Sequence, residues 1–461
     1  MLTTLTTLKR KHDDQNNGGG KLDIATQEAA PLIAPIDNKI LKRFHHRTDP
    51  TLWNQYHALQ QRSLYGQRIF GRKINFSARS LLPLYQCPTN QIYRFYLDND
   101  KDCFPFYCSY AHNAYGGKLL TVGDENGRIS FLRTDKTNSS QDSIYHDIFK
   151  AHTTAILDVK WSTDDTTLAT ASGDRNICLW DVESKVCLAV LKGHKSSLNS
   201  INWHPTNQNL LVSASKDGSF RIWDTRYRQI DRDDSNDRLP IYDSIKTVSD
   251  AHGDQIMQKK RVSKSVARPK YLDRSVTCAL FMNNSEEKII TSGCYDGAIK
   301  LWDCRAGRNP SAIARTVFAG KSGRPRGVID IKMDNSGTRL FSLCMDHSIY
   351  MHYLTDLSRP AQQYTDPDYN ANSFFIKLAV SPDDRFIMAG STVKSVFAWE
   401  VDRPKAPAVQ FAGHSAVVTS VSWCHTDINQ FASCSDDLST RIWNVDFDKQ
   451  TDMETSNDSV T

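Results

Sequence analysis

From about Gln91 onward the chain reads as short runs in which apolar and polar residues alternate, with turn residues between them. Such period-two runs place one face of each segment in a core, so they predict strands and an all-β domain. Upstream the period changes. Ile40, Leu41 and Phe44 form one apolar stripe at helical spacing, and Leu52, Trp53, Tyr56 and Leu59 form a second. Asp49 can cap that second helix and Pro50 suits its first position. Residues 37–80 are therefore expected to be a short helical segment. Residues 1–36 contain few aromatics and a polar run from Asp13 to Gly20, so they are expected to be mobile, as is a flexible tail over 448–461.

A phrase recurs within the strand-rich region. His152…Asp174…Trp180-Asp181, His194…Asp217…Trp223-Asp224 and His414…Asp437…Trp443-Asn444 share one layout, with His-to-Trp separations of 28, 29 and 29. A fixed interval of this kind signals a repeat architecture, and the Gly-His…Trp-Asp form resembles the WD-repeat β-propeller. The expected fold is a seven-bladed propeller over residues 81–447. Its third strands end near Leu132, at Trp180, Trp223 and Trp302, in a degenerate fifth blade at Ile349–Tyr353, at Trp399 and at Trp443. Closing the ring calls for a strand from the chain's start beside the last blade, and either Ile92–Leu97 or Leu81–Tyr85 could supply it.

The repeated His, Asp and Trp are first of all structural, since a core requires its buried polar groups to be hydrogen-bonded. His152, Asp174, Trp180, His194, Asp217, His414, Asp437 and Trp443 are assigned to the blades on that ground. Serines nearby (Ser172, Ser215, Ser435) give a superficial likeness to hydrolase triads, but an enzyme does not need three copies of its active site. No phosphate-cradling glycine loop, metal-ligand spacing or unique nucleophile is present. No catalytic residue, metal or cofactor is therefore expected.

At 461 residues and 39% hydrophobic the chain can bury a large core, and no apolar run reaches the length of a membrane helix. No secretory signal is expected at the N-terminus. The eleven cysteines are an odd number without a Cys-x-x-Cys, and Cys178, Cys294, Cys344 and Cys434 fall inside predicted strands, which suits reduced, buried thiols. The net charge of +5 is uneven: nine Lys or Arg against Asp49 alone make the 39–79 segment +8 and leave the remainder at −3. With Trp53, Tyr56, Tyr65, Phe70 and Phe76 among its charges, this arm could contact nucleic acid, and direct nucleic-acid binding stays open.

Two departures from the repeat carry the functional signal. The third and fourth blades continue past Trp-Asp to an arginine, as Trp223-Asp224-Thr225-Arg226 and Trp302-Asp303-Cys304-Arg305. Loops after third strands all leave one face of a propeller, so both arginines are expected side by side on it. A planar guanidinium suits a flat contact because its fork bonds carboxylate or carbonyl groups in pairs. The second departure is an insertion over 227–273, between the third and fourth blades. There Ile245–His252 resembles an outer strand running into the Gly-His position. Lys259, Lys260, Arg261, Lys264, Arg268 and Lys270 follow. They form a solvated loop, a nuclear-import signal or an electrostatic contact with an acidic partner.

Several stretches in order resemble the denticleless family of WD-repeat substrate receptors of cullin-4 RING ubiquitin ligases. They are Thr170–Asp181, Lys192–Ser200, Asp217–Arg226, Ser249–His252 with its basic insertion, Ser381–Phe386 and Gly413–Cys424. The resemblance implies a non-catalytic subunit in the nucleus. One propeller face would hold the damaged-DNA-binding adaptor of the cullin-4 RING assembly through Trp223, Asp224, Arg226, Trp302, Asp303 and Arg305. The other would take degron proteins bound to the sliding clamp (PCNA), such as replication-licensing factors, for polyubiquitination in S phase or after DNA damage. The helical segment would then be placed to enter a cavity of the adaptor. A competing expectation is a WD-repeat scaffold of a nuclear RNA-processing or chromatin complex unrelated to ubiquitination.

Overall fold

A computed structural model describes residues 82–95, 102–135, 145–227, 240–253, 274–283, 285–305, 310–316 and 327–445. The expected 37–80 helical segment, the 1–36 and 448–461 termini and the basic residues Lys259, Lys260, Arg261, Lys264, Arg268 and Lys270 lie outside them. The described strands form seven sheets, antiparallel but for one two-residue pair at the edge of the second, each a blade of a propeller, over 105–150, 156–191, 198–248, 276–315, 328–364, 378–412 and 418–445. Each innermost strand packs against the next, and the seventh packs against the first, which closes a ring. The period-two pattern explains the blades directly. In Ile177–Asp181, for example, alternate residues face the blades on either side, so every strand but the outermost is buried on both faces.

The core is divided among the gaps between blades. Buried apolar residues fall into seven clusters, each shared by two neighbouring sheets. Phe131 of the first blade meets Trp161 of the second at 5.8 Å, and Phe220 of the third meets Trp302 of the fourth at 5.4 Å. In the degenerate fifth blade His352 stands where blade three has Trp223: it pairs with Leu340 as Trp223 pairs with Leu211, and it is 3% exposed.

Both candidate closing segments are used. Tyr85–Gln86 pairs with one end of the last strand, Ser439–Val445, in the register Tyr85↔Val445. Ile92–Arg94 pairs with its other end, Tyr93 opposite Thr440. The buried Tyr85 ring packs edge-on to Phe411 and Trp423, which anchors the closure in the core.

The insertion after the third Trp-Asp belongs in part to blade three rather than between blades. Lys246–Val248 is the outer strand of that blade, and Ile241–Tyr242 crosses to pair in parallel with Val190–Leu191 of blade two. In six blades the innermost strand also carries a register shift near its start, around Phe106, Leu157, Asn199, Thr277, Ile329 and Thr419. Such bulges re-aim one side chain, here at the mouth of the central channel on the face opposite the third-strand ends.

Candidate functional site

The elements that position the two arginines are hydrogen-bond chains running through the blades. In blade three Trp223 Nε1 donates to Ser213 Oγ at 2.8 Å, and that hydroxyl reaches His194 Nε2 at 2.7 Å. His194 Nδ1 then meets Asp217 at 3.1 Å. Blade four repeats the chain as Trp302, Thr291, His252 and Asp296, with distances of 2.8, 2.9 and 2.8 Å. Blades two and seven carry it as Trp180–Thr170–His152–Asp174 and Trp443–Ser433–His414–Asp437. The donor order fixes the tautomer. An indole N–H can only donate, so the hydroxyl passes its own hydrogen to Nε2, and Nδ1–H goes to the carboxylate.

Burial holds His194, His252 and His414 below the usual histidine range, so the rings are neutral. Burial works against ionisation of Asp217 and Asp437, but hydrogen bonds from His194 and Ser219, and from His414 and Ser439, outweigh it and keep both carboxyls well below their ordinary values. The glycine of Gly-His is required at Gly193, whose φ is 155° and where a Cβ would lie 2.5 Å from Arg221 Nη1. These chains are scaffold, buried and fully used, with no group free for chemistry.

They also correct one sequence expectation. Trp223 and Trp302, grouped with the docking residues, are 1% and 6% exposed. Their indoles end the buried chains and cannot touch a partner.

What they hold up is exposed. Asp224 directly follows the anchored Trp223, and its Oδ1 accepts the backbone N–H of Arg226 at 2.9 Å, which turns the chain back. The same carboxylate takes Arg226 Nε at 2.9 Å and Nη2 at 2.7 Å. Asp303 does likewise for Arg305, with the backbone N–H at 3.0 Å, Nε at 3.3 Å and Nη2 at 3.2 Å. Glu287 gives Arg305 a second carboxylate that Arg226 does not have. The hydrogen bonds from Arg226 and Arg305 depress the Asp224 and Asp303 carboxyls respectively. Both arginine side chains are 62% exposed. Each fork is thus held by one edge while Nη1 and the outer hydrogen of Nη2 point away, free to bond a partner.

Both arginines follow third strands of consecutive blades and so stand on one face. The blades are tied there by Lys246 Nζ, which donates from the outer strand of blade three to the Cys304 carbonyl in the turn of blade four. The other blades end their third strands differently. Asp181 closes its turn on Ser184 at 2.8 Å, and Asn444 receives the amide of Gln430 at 2.7 Å. Two exposed hydrophobic side chains share this face: Tyr227, next to Arg226 in the chain, is 69% exposed and Val186, in the corresponding turn of blade two, 56%. Sequence reasoning missed both, although a tyrosine beside a surface arginine is the composition typical of contact centres. It also missed Asp296 and Thr291, because the insertion breaks the His-to-Trp interval in blade four. The spacing of six from Asp to Trp survives there and would have found the carboxylate.

Comparison with known proteins places the chain. The family described as WD domain, G-beta repeat matches residues 144–181, 185–224, 271–303 and 406–444. The Denticleless protein homolog of Danio rerio is 33% identical over 384 residues, which cover 81% of this chain and 57% of that protein. This is a denticleless-type WD-repeat protein. The human Denticleless protein homolog is 30% identical over 81% of the chain and 51% of its own length. Protein lethal(2)denticleless of Drosophila melanogaster is 29% identical over 71% and 43%. The denticleless-type chain thus spans about half the length of the curated relatives it matches. Among the described residues no group of His, Cys, Asp and Glu is arranged to hold a metal, and no helix is long and apolar enough to cross a membrane.

Proposed function

We propose that this protein is the substrate-recognition subunit of a cullin-4 RING ubiquitin ligase in the nucleus. The face bearing Arg226 and Arg305 docks the damaged-DNA-binding adaptor. The opposite face presents clients, among them replication-licensing factors bound to the PCNA clamp, for polyubiquitination in S phase or after DNA damage. The observation that carries this reading is the pair of outward arginine forks, each fixed by its own carboxylate on neighbouring blades. A rigid guanidinium loses little freedom when a partner accepts its remaining hydrogens, and the exposed Tyr227 and Val186 on the same face supply apolar surface that bonding alone would not. The family resemblance agrees with this placement. The protein acts by holding two partners on opposite faces of one rigid ring, and it transfers nothing itself.

The test is to replace Arg226 and Arg305 together with alanine in the full chain and measure co-purification with the adaptor and cullin-4. Loss of at least tenfold in adaptor binding, with the melting temperature unchanged, is expected. Adaptor recovery equal to that of the unaltered protein would remove the docking assignment. Stable recovery of an RNA-processing or chromatin complex without cullin would point to the scaffold reading.

A further inference from the structure

Inside the channel the innermost strands carry a polar ring that the packing of the blades leaves unused. Ser109, Lys160, Asn202, Lys332 and Ser422 occupy one register position on five of those strands, and all five are partly exposed. An innermost strand is covered on both sides by its neighbours, so what solvent these side chains meet is the channel's. Two of them are lysines, one from blade two and one from blade five. A third lysine, Lys377 of blade six, is 8% exposed and reaches across to the Asn199 carbonyl of blade three at 3.5 Å.

The channel holds too few acceptors for these cations. Its carboxylates are Asp158 and Asp330, each two residues before a lysine of the ring. Both are partly spent on joining blades: Asp158 accepts the Ile201 N–H at 2.9 Å and Asp330 the Leu378 N–H at 3.0 Å. Lys160 alone touches a carboxylate, Asp158 at 3.0 Å, and it also donates to the Tyr107 hydroxyl. Burial draws the Lys160 ammonium down to about 8 against the pull of Asp158, and Lys332 adds to the fall. Burial opposes charge on Lys332 too, but the fields of Asp330 and Asp158 outweigh it and hold that ammonium above the usual lysine range. Lys332 is therefore charged, yet among the described residues it has no hydrogen-bond or ion-pair partner, and its three hydrogens are unspent.

Two hydroxyls at the same level are unspent as well. Ser422 Oγ accepts the Tyr110 N–H at 3.1 Å and keeps its own hydrogen, and the Ser109 hydroxyl makes no hydrogen bond among the described residues. The carboxylates in the loops that follow these strands, on the arginine face, are already filled. Asp165 takes the amides of His112, Asn113 and Ala114, and Asp427 takes Lys118. Ammonium and hydroxyl donors that share a level without an acceptor are the complement of a tetrahedral oxyanion. We propose that Lys160, Lys332, Ser109 and Ser422 form a binding site for a phosphate-type oxyanion inside the channel, with Lys377 as a third cation nearby. Bound there, the anion ties blades two and five across the ring.

The test is thermal melting and calorimetry of the full chain in Hepes at neutral pH, with inorganic phosphate or pyrophosphate set against sodium chloride of equal ionic strength. The melting temperature should climb with the logarithm of the phosphate or pyrophosphate concentration and should not do so with chloride. Whichever ion acts at the lower concentration tells a free phosphate from a polyphosphate. Lys332→Met, which keeps the aliphatic stem, should bind the ion about tenfold more weakly. Ser109→Ala, which leaves every charge in place, should weaken it about threefold. Each variant is compared with itself with and without the ion, so its own stability does not enter. The chain with both Arg226→Ala and Arg305→Ala should respond as the unaltered protein does. No rise beyond that in chloride, or an undiminished response in Lys332→Met, would overturn the site; should that variant not fold, Ser109→Ala decides alone. Because the adaptor plays no part, that failure leaves the docking assignment to its own experiment.

Discussion

Removing the carboxylate that holds an arginine, while leaving the arginine, separates orientation from charge. In Asp224→Asn the side-chain oxygen can still accept the Arg226 backbone N–H and keep the turn, but the amide nitrogen now faces Nη2 and cannot accept from it. The guanidinium is released from one geometry to many. Ordering one such side chain at an interface costs roughly two- to tenfold in affinity, and that is the expected loss of adaptor binding for Asp224→Asn. Asp303→Asn should cost less, because Arg305 keeps Glu287 as a second anchor. Adding Glu287→Gln should bring it level with Asp224→Asn. Titration of the purified adaptor by calorimetry reads these differences directly, and thermal melting controls for folding. The opposite expectation is equally sharp. If the contact depended on net charge alone, removing Asp224 would leave Arg226 uncompensated and strengthen binding to an acidic surface. Tighter binding by Asp224→Asn, or a larger loss for Asp303→Asn than for Asp224→Asn, would refute the reasoning from pre-orientation.

Two further outcomes concern the scaffold. Ser213→Ala orphans both the Trp223 indole N–H and His194 Nε2, each at a fully buried hydroxyl, so it should destabilise by about 2–5 kcal/mol in urea unfolding. Ser213→Thr, which copies the hydroxyl used at Thr170 and Thr291, should stay within about 1.5 kcal/mol, and equal losses for the two would refute the hydrogen-bond account. Burial lowers His352 to about 4 despite Asp356 nearby, so its neutral form is favoured in the folded state. A group of this kind contributes its stability fully above the unfolded value of about 6.5 and loses it as pH falls toward 4. Stability should therefore drop by about 2 kcal/mol from this residue between pH 7 and pH 5. In His352→Gln that part of the slope should vanish, and an unchanged slope would count against it.

The sequence was most legible where the structure is most repetitive. Three intact His-to-Trp intervals were enough to announce the ring, and alternation alone placed the third strand of the fifth blade although His352 stands in place of its tryptophan. The arginines could be assigned to one face because strand order fixes the side on which each loop leaves. Features made by contact across blades were not legible. Nothing in Ile241–Tyr242 shows that two residues will pair in parallel with a strand of the preceding blade. The burial of Trp223 and Trp302 beneath exposed arginines depends on the depth of a blade, which a motif does not state. The Phe106–Phe375 stack joins residues 269 positions apart in the chain, on blades that are not neighbours, and no periodicity connects them.

The way the ring is fastened bears on how the protein is made. Tyr85–Gln86 and Ile92–Arg94 emerge from the ribosome long before Ser439–Val445, the strand they must join. Until translation has passed residue 445, the first blade has an unsatisfied flank and the growing chain is an open arc with sticky edges at both ends. Birth of this protein is therefore a race between late closure and wrong pairing, in which a chaperone that shields the arc has most to offer.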